Sequence, residues 1–430
     1  MLRRITLALS LAAAAGGETP AQWAAKHASE LVEVYREFHR HPELSLQEQQ
    51  TAARLAESWK QAGVEVHRGI GGHGVVGLIK NGPGPTLMLR TDLDGLPVVE
   101  NTGLAYASQE KVTSKDGTAT GVMHACGHDI HITNLIGVAQ FLASHKSDWS
   151  GTVMLIGQPA EERGEGAQRM IDDGLFTKFP KPDMALALHV DGTLETGKIG
   201  VRAGYSLANV DSVDVTMNGR GGHGAAPHAT IDPIVQAAQL IVSLQTLVSR
   251  ETNPVEPAVV TVGSIHGGTK HNVIPDTCKL QLTVRSYSDA VRQRLLDGIR
   301  RKANAVADGA GAPKPTIEVL DETTPALFND EKLVERLTPI FRTALGDGNV
   351  VRSEQSMGGE DFSRYGRAGV PICMFRVGSV EPHRLAGLKR GGQEPPSLHS
   401  AVYYPDAEQT LVTGITAMTA ATLDLLSVKK

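Results

Sequence analysis

Cysteine, aromatic residues and long apolar runs are all scarce in this 430-residue chain, and each scarcity excludes a class of protein. Its three cysteines, Cys126, Cys278 and Cys373, are widely separated, and an odd count leaves at least one thiol unpaired, so no disulfide framework is expected. Aromatics at 4% and a formal charge of −5 supply neither the stacking platforms nor the basic footprint of a nucleic-acid binder. Past the N-terminus every apolar run is broken by Gly, Pro or charge before it reaches the roughly 20 residues a membrane span needs. What remains is an ordinary globular balance, 41% hydrophobic and 21% charged, long enough for two to three domains of roughly 150 residues.

The first residues read as a leader rather than as fold. Arg3 and Arg4 precede the apolar run Ile5 to Ala15, and the small residues Gly16 and Gly17 follow. That order is the pattern of a secretory signal peptide over residues 1–17, with an uncleaved anchor as the alternative. A periplasmic or secreted location is therefore expected. In an oxidising compartment a lone thiol survives best when buried or metal-bound, which singles out Cys126, between His124 and His128.

After the leader, Leu31, Val34, Tyr35 and Phe38, then Ala52, Leu55 and Trp59, recur at helical spacing. His41-Pro42 predicts a break between two helices. Val75 to Ile79, Thr86 to Arg90, Thr152 to Ile156 and Ala185 to His189 predict buried strands, and Leu135 to Leu142 a helix. This alternation argues for an α/β layer architecture with a mixed, mainly parallel sheet. Near Asn209 the texture changes to strict alternation, with Val213, Val215 and Met217, then Val260 and Val262, then Leu280, Leu282 and Val284. With helices over Ile234 to Val248 and Val291 to Val306 and a last strand near Ile317, these form a smaller α+β unit. The expected division is residues 18–207 and 321–430 for the larger domain and 208–320 for the insertion.

The richest chemistry is His124-Ala125-Cys126-Gly127-His128-Asp129-Ile130-His131. Soft and borderline donors at such density suit zinc, and a glycine between Cys126 and His128 allows a turn to aim both at one point. Glu161-Glu162 follows an apolar strand, where open α/β sheets bind ligands. Adjacent acids there can divide labour, one holding metal and one moving protons. His189 closes another buried strand, His399 lies in Leu398-His399-Ser400, and His223 sits among glycines in the inserted unit.

Taken in order, these motifs resemble the binuclear-metal amidohydrolase and carboxypeptidase family, which includes hippurate hydrolase, plant indoleacetyl-amino-acid hydrolases and aminoacylases. The resemblance runs from His39-Arg40-His41-Pro42-Glu43-Leu44-Ser45 through Arg90 to Pro97, the Cys126 cluster, Glu161-Glu162 and the His223 loop. It continues through Asn272 to Asp276, Gly358-Gly359-Glu360-Asp361-Phe362 and Leu398-His399-Ser400. It implies a zinc-peptidase-like catalytic domain interrupted by a lid that carries a homodimer contact. It also implies two divalent metals per subunit, most simply zinc with manganese, cobalt or nickel as alternatives, held by Cys126, His128, Glu162, His189 and His399. Glu161 would be the general base and His223 an oxyanion donor, in such dimers often to the partner's site. Asn272, Arg285 and Gly359 would meet substrate, and Asp92 would partner a ligand. Two departures bear on substrate fit: Gly95 stands where relatives commonly have alanine, and Lys111 to Thr120 looks like added length. The implied reaction is hydrolysis of N-acyl amino acids, with a carboxypeptidase or dipeptidase as the alternative. A non-catalytic binding protein would have no use for Glu161.

Overall fold

A computed structural model of the chain describes residues 17–113, 117, 119–320 and 323–427. Apart from Gly17, the expected leader lies outside these residues, as does part of the added length at Lys111 to Thr120. The described part of that stretch includes a short antiparallel pair, Lys111–Thr113 with Ala119–Gly121.

The first helix, Pro20–Arg40, starts on a reciprocal cap in which Thr19 accepts from Gln22 and the Gln22 side chain reaches back. It buries Trp23, Leu31, Tyr35 and Phe38 and stops just before His41-Pro42, because the residue preceding proline is pushed out of helical geometry. The second helix is Gln49–Gln61.

The larger domain holds an eight-stranded sheet. Across the sheet the strands run Glu65–Ile70, Gly74–Asn81, Gly151–Gln158, Thr86–Asp92, Met184–Glu195, Ile372–Val380, Ile199–Val201 and Val350–Arg352. Its four central strands are parallel and antiparallel pairings lie outside them, so the sheet is mixed. Side chains alternate between two buried layers. Leu87, Leu89, Val153, Leu155, Leu186 and Leu188 face one cluster, with residues of helices Pro20–Arg40, His128–Ser144 and Ala407–Leu425. Met88, Met154, Ile156, Ala185 and Ala187 face the other, with Phe362 and Tyr365.

Two expectations change here. The helix expected from Leu135 begins at His128, because residues 128–139 are buried on every side and carry no amphipathic stripe to mark its start. The strand expected to end at His189 runs to Glu195, which puts His189 in its interior.

The inserted unit is a four-stranded antiparallel sheet ordered Ala258–Gly267, Thr277–Ser286, Asn209–Asn218, Thr316–Val319. Helices Pro233–Thr246 and Asp289–Gly309 cover one face, and Val213, Val215, Met217, Leu280, Leu282 and Val284 fill the space between. Its two connections to the larger domain lie side by side, Val210 and Thr324 exchanging backbone hydrogen bonds of 2.9 and 3.0 Å. Asp289 takes a two-pronged ion pair from Arg367 of the larger domain at 2.6 and 2.8 Å.

Candidate metal centre

The centre lies where the sheet's strand ends meet the N-terminus of helix His128–Ser144. Gly127 is the first requirement. Its φ of 78° is left-handed, and an added Cβ would sit 2.6 Å from a methyl of Val190, so only glycine turns the chain between Cys126 and His128. The Cys126 sulfur then lies 3.5 Å from His189 Nε2 and 3.3 Å from His399 Nε2. Glu162 Oε1 is 3.4 Å from His399 Nε2 and 3.8 Å from His128 Nε2. Cys126 belongs to two compact donor triplets, one with His128 and His189, the other with Glu162 and His399.

The imidazoles are oriented from behind. His128 Nδ1 bonds the Asp94 carbonyl at 2.7 Å and His189 Nδ1 the Val190 carbonyl at 2.8 Å. Each ring therefore turns its Nε2 toward the centre, the arrangement that prepares a histidine to ligate. His128 Nε2 and Glu162 Oε1 are buried without a hydrogen-bond partner. Burial and the nearby Glu162 push the Cys126 thiol well up, and burial raises Glu162 itself to about 7. Burial opposes charge on His128, yet Asp92 beside it and the bond to Asp94 hold it well above the ordinary histidine range. These acids call for positive charge at their middle. Orphaned buried donors of mixed sulfur, nitrogen and oxygen type fit divalent metal ions.

Glu161 stands next to this set, with Oε2 3.8 Å from His128 Nε2. Burial, then the charges of Glu360 and Glu162, drive its proton affinity well up. Among the described residues three non-glycine residues adopt left-handed φ, and two of them are in the centre: Ala160 at 50°, directly before Glu161, and His399 at 67°. The third, Leu46 at 68°, is joined to Ala160 through one carboxylate. Glu48 Oε1 accepts the Leu46 amide at 2.9 Å and the Ala160 amide at 2.7 Å.

Not every histidine of the Cys126 cluster faces the centre. His131 Nδ1 meets Asp92 at 2.8 Å and its Nε2 accepts the Val190 amide at 2.9 Å, so it props Asp92 and has no free lone pair. His124 is buried with neither nitrogen bonded, and burial lowers its pKa to about 4. Asp92 lies 3.6 Å from His128 and takes Arg90 at 2.8 Å. Arg90 also reaches Gln158, Glu360 and Asp361, a buried network that the sequence did not reveal as a unit.

The centre opens into a cavity of about 720 Å³, lined among others by Cys126, Glu161, Glu162, His189, His399 and, from the inserted unit, Arg285. Gly359 lines it too, and a Cβ there would come within 2.8 Å of Val210. Arg285 donates to the Met357 carbonyl at 2.6 Å. His223 and Asn272 do not join this cavity. His223 lies on the short segment Gly222–His223 of the inserted unit, paired with Val273–Ile274, which Asn272 directly precedes, and His223 is exposed.

A mixed α/β scaffold that gathers imidazoles, a thiol and paired carboxylates beneath a smaller domain defines a metal-dependent hydrolase of amide or peptide bonds. Residues 88–388 match Peptidase family M20/M25/M40, and the chain belongs to that family. It is similar to thermostable carboxypeptidase 1 of Saccharolobus solfataricus, 37% identical over 341 residues that cover 78% of this chain and 82% of that one. Its likeness to N-acetyl-L-cysteine deacetylase of Bacillus subtilis is also 37%, over 342 residues covering 78% and 77% of the two chains. The crystal structure of the YXEP protein of Bacillus subtilis, a dinuclear metal binding peptidase, matches with a TM-score of 0.76 at 29% identity. That match covers 93% of this chain and 99% of the other.

Proposed function

We propose that the chain is a secreted or periplasmic two-metal hydrolase that cleaves the amide bond of N-acyl amino acids. The convergence of Cys126, His128, Glu162, His189 and His399, with Glu161 left beside them, carries this reading. Those five residues would hold two ions. The donor mixture suits zinc and accommodates manganese, cobalt or nickel. When bound, the ions supply a water of lowered pKa and a polarised amide carbonyl. Glu161, held at the end of the strained Ala160 turn, takes a proton from the attacking water and returns it to the leaving nitrogen. Arg285 reaches the cavity from the inserted unit, placed to meet a substrate carboxylate, and Gly359 lets substrate pass close to the backbone.

His223 and Asn272 act in this proposal across a homodimer. The inserted unit presents exposed apolar residues Ile234, Val235, Val242, Ile265 and Val273, a face that a second copy would cover. Pairing through it would carry His223 to the other copy's cavity as an oxyanion donor.

The test is release of free amino acid from N-acyl amino acids and dipeptides, before and after chelation, with metal content measured on the same sample. Chelator-sensitive cleavage of the acyl derivatives is expected. Preference for dipeptides would favour the carboxypeptidase reading, which the likeness to the Saccharolobus enzyme supports. Glu161→Gln is expected to keep its metal while kcat falls by roughly 10²–10⁴-fold. Near-wild-type turnover by that variant would remove the general-base role.

A further inference from the structure

Arg376 has no place in the reading above, although it lies in the wall of the same cavity. It sits on the strand Ile372–Val380, paired in register with His189 on one side and Gly200 on the other. Residues paired across a sheet share a face, so the Arg376 side chain leaves the sheet beside His189, toward the centre. Gly200 contributes no side chain to compete for the space. The other arginines of this cavity have protein partners: Arg285 gives Nη1 to the Met357 carbonyl and Nε to Thr283, leaving Nη2 for one substrate carboxylate, and Arg163 pairs with Glu165. Arg90, behind the centre, is fully spent on Gln158, Asp92, Glu360 and Asp361. Among the described residues the Arg376 side chain makes no hydrogen bond and no ion pair. A half-buried cation with no carboxylate partner, set against a metal ligand, is costly unless an anion comes to it.

We infer that Arg376 selects substrates that carry a second anionic group in addition to the amino-acid carboxylate. This rests on the hydrolase reading. Arg285 would meet the first carboxylate and Arg376 the second, which belongs either to a dicarboxylic acyl group or to an acidic amino-acid side chain. A guanidinium matches a carboxylate through two parallel N–H donors, so the preference depends on geometry as well as charge.

Two matched pairs separate the sources: N-succinyl-leucine against N-acetyl-leucine, and N-acetyl-glutamate against N-acetyl-glutamine. kcat/KM is measured for each on the metal-loaded full chain, in wild type, Arg376→Met and Arg376→Lys. Both members of a pair are read on one preparation, so their ratio does not depend on the active fraction. The expected result is a preference of about tenfold or more for the anionic member of one pair, as a charge-assisted bond gives. It falls to near parity in Arg376→Met and is kept in part by Arg376→Lys. Where Arg376→Met yields no folded protein, the reduced ratio in Arg376→Lys decides. Parity in both wild-type pairs, or a preference that the variants leave intact, overturns the inference while the hydrolase reading stands. No cleavage of any of the four by metal-loaded wild type overturns that reading, and this inference with it.

Discussion

Glu48 shows how much of the centre is held from outside it. This buried carboxylate satisfies the amides of Leu46 and Ala160, both in left-handed backbone, and the second of these aims Glu161. Glutamine keeps the accepting oxygen and alanine removes it. Glu48→Ala is therefore expected to lose about 1–3 kcal/mol of stability, since the buried Ala160 N–H and the part-buried Leu46 N–H lose their partner. Glu48→Gln should stay close to wild type in urea denaturation. If positioning is its role, the folded fraction of Glu48→Ala should also show a lower kcat with little change in KM. Equal losses in both variants would mean that the charge, not the acceptor, matters. None of this was legible in the sequence, where Glu48 and Ala160 are 112 positions apart. Arg376 escaped for the opposite reason, as a single charge inside an apolar strand.

The elements that read clearly are those with one wet face. The strands of the inserted unit alternate strictly because one side packs on helices and the other meets solvent, so their period was visible in Val213, Val215 and Met217. Helix His128–Ser144, buried all round, hid its start and with it the placement of His128 in the first turn. The donors were legible as residue types, while the division of labour among His124, His128 and His131 was not, because it depends on contacts from Asp92, Asp94 and Val190. One contact between elements has a pH signature. His39, at the end of helix Pro20–Arg40, bonds Asp129 at 2.7 Å and Glu100 at 3.1 Å. Burial disfavours its charge, but these acids prevail and raise it to about 9. A raised histidine pKa stabilises fully below its unfolded value near 6.5 and is lost as pH climbs through about 9. Stability should thus fall by roughly 3 kcal/mol between pH 6.5 and 9.5, and His39→Gln should flatten that slope. An unchanged slope in the variant would place the titration elsewhere.

At the scale of the whole molecule, the inserted unit hangs from adjacent connections and is latched by Arg367 to Asp289. Val242, 72% exposed on its outer helix, tests the proposed pairing of copies. Val242→Asp is expected to run as a monomer in analytical ultracentrifugation with at least tenfold lower kcat, His223 having lost the site it serves. A fully active monomer would end that proposal. The sheet itself has a further property. One of its inner parallel pairs joins Met184–Glu195 to Ile372–Val380, and helix Ala407–Leu425 closes the layer begun by Pro20–Arg40. The contacts that finish the core thus span almost the entire chain, and long-range pairing of this kind folds slowly. During synthesis Cys126, His128, Glu162 and His189 emerge long before their last companion, His399. A chain cut short near residue 370 would lack not a tail but one of the four central strands of its sheet, so completion of the core and completion of the candidate metal centre become one late event.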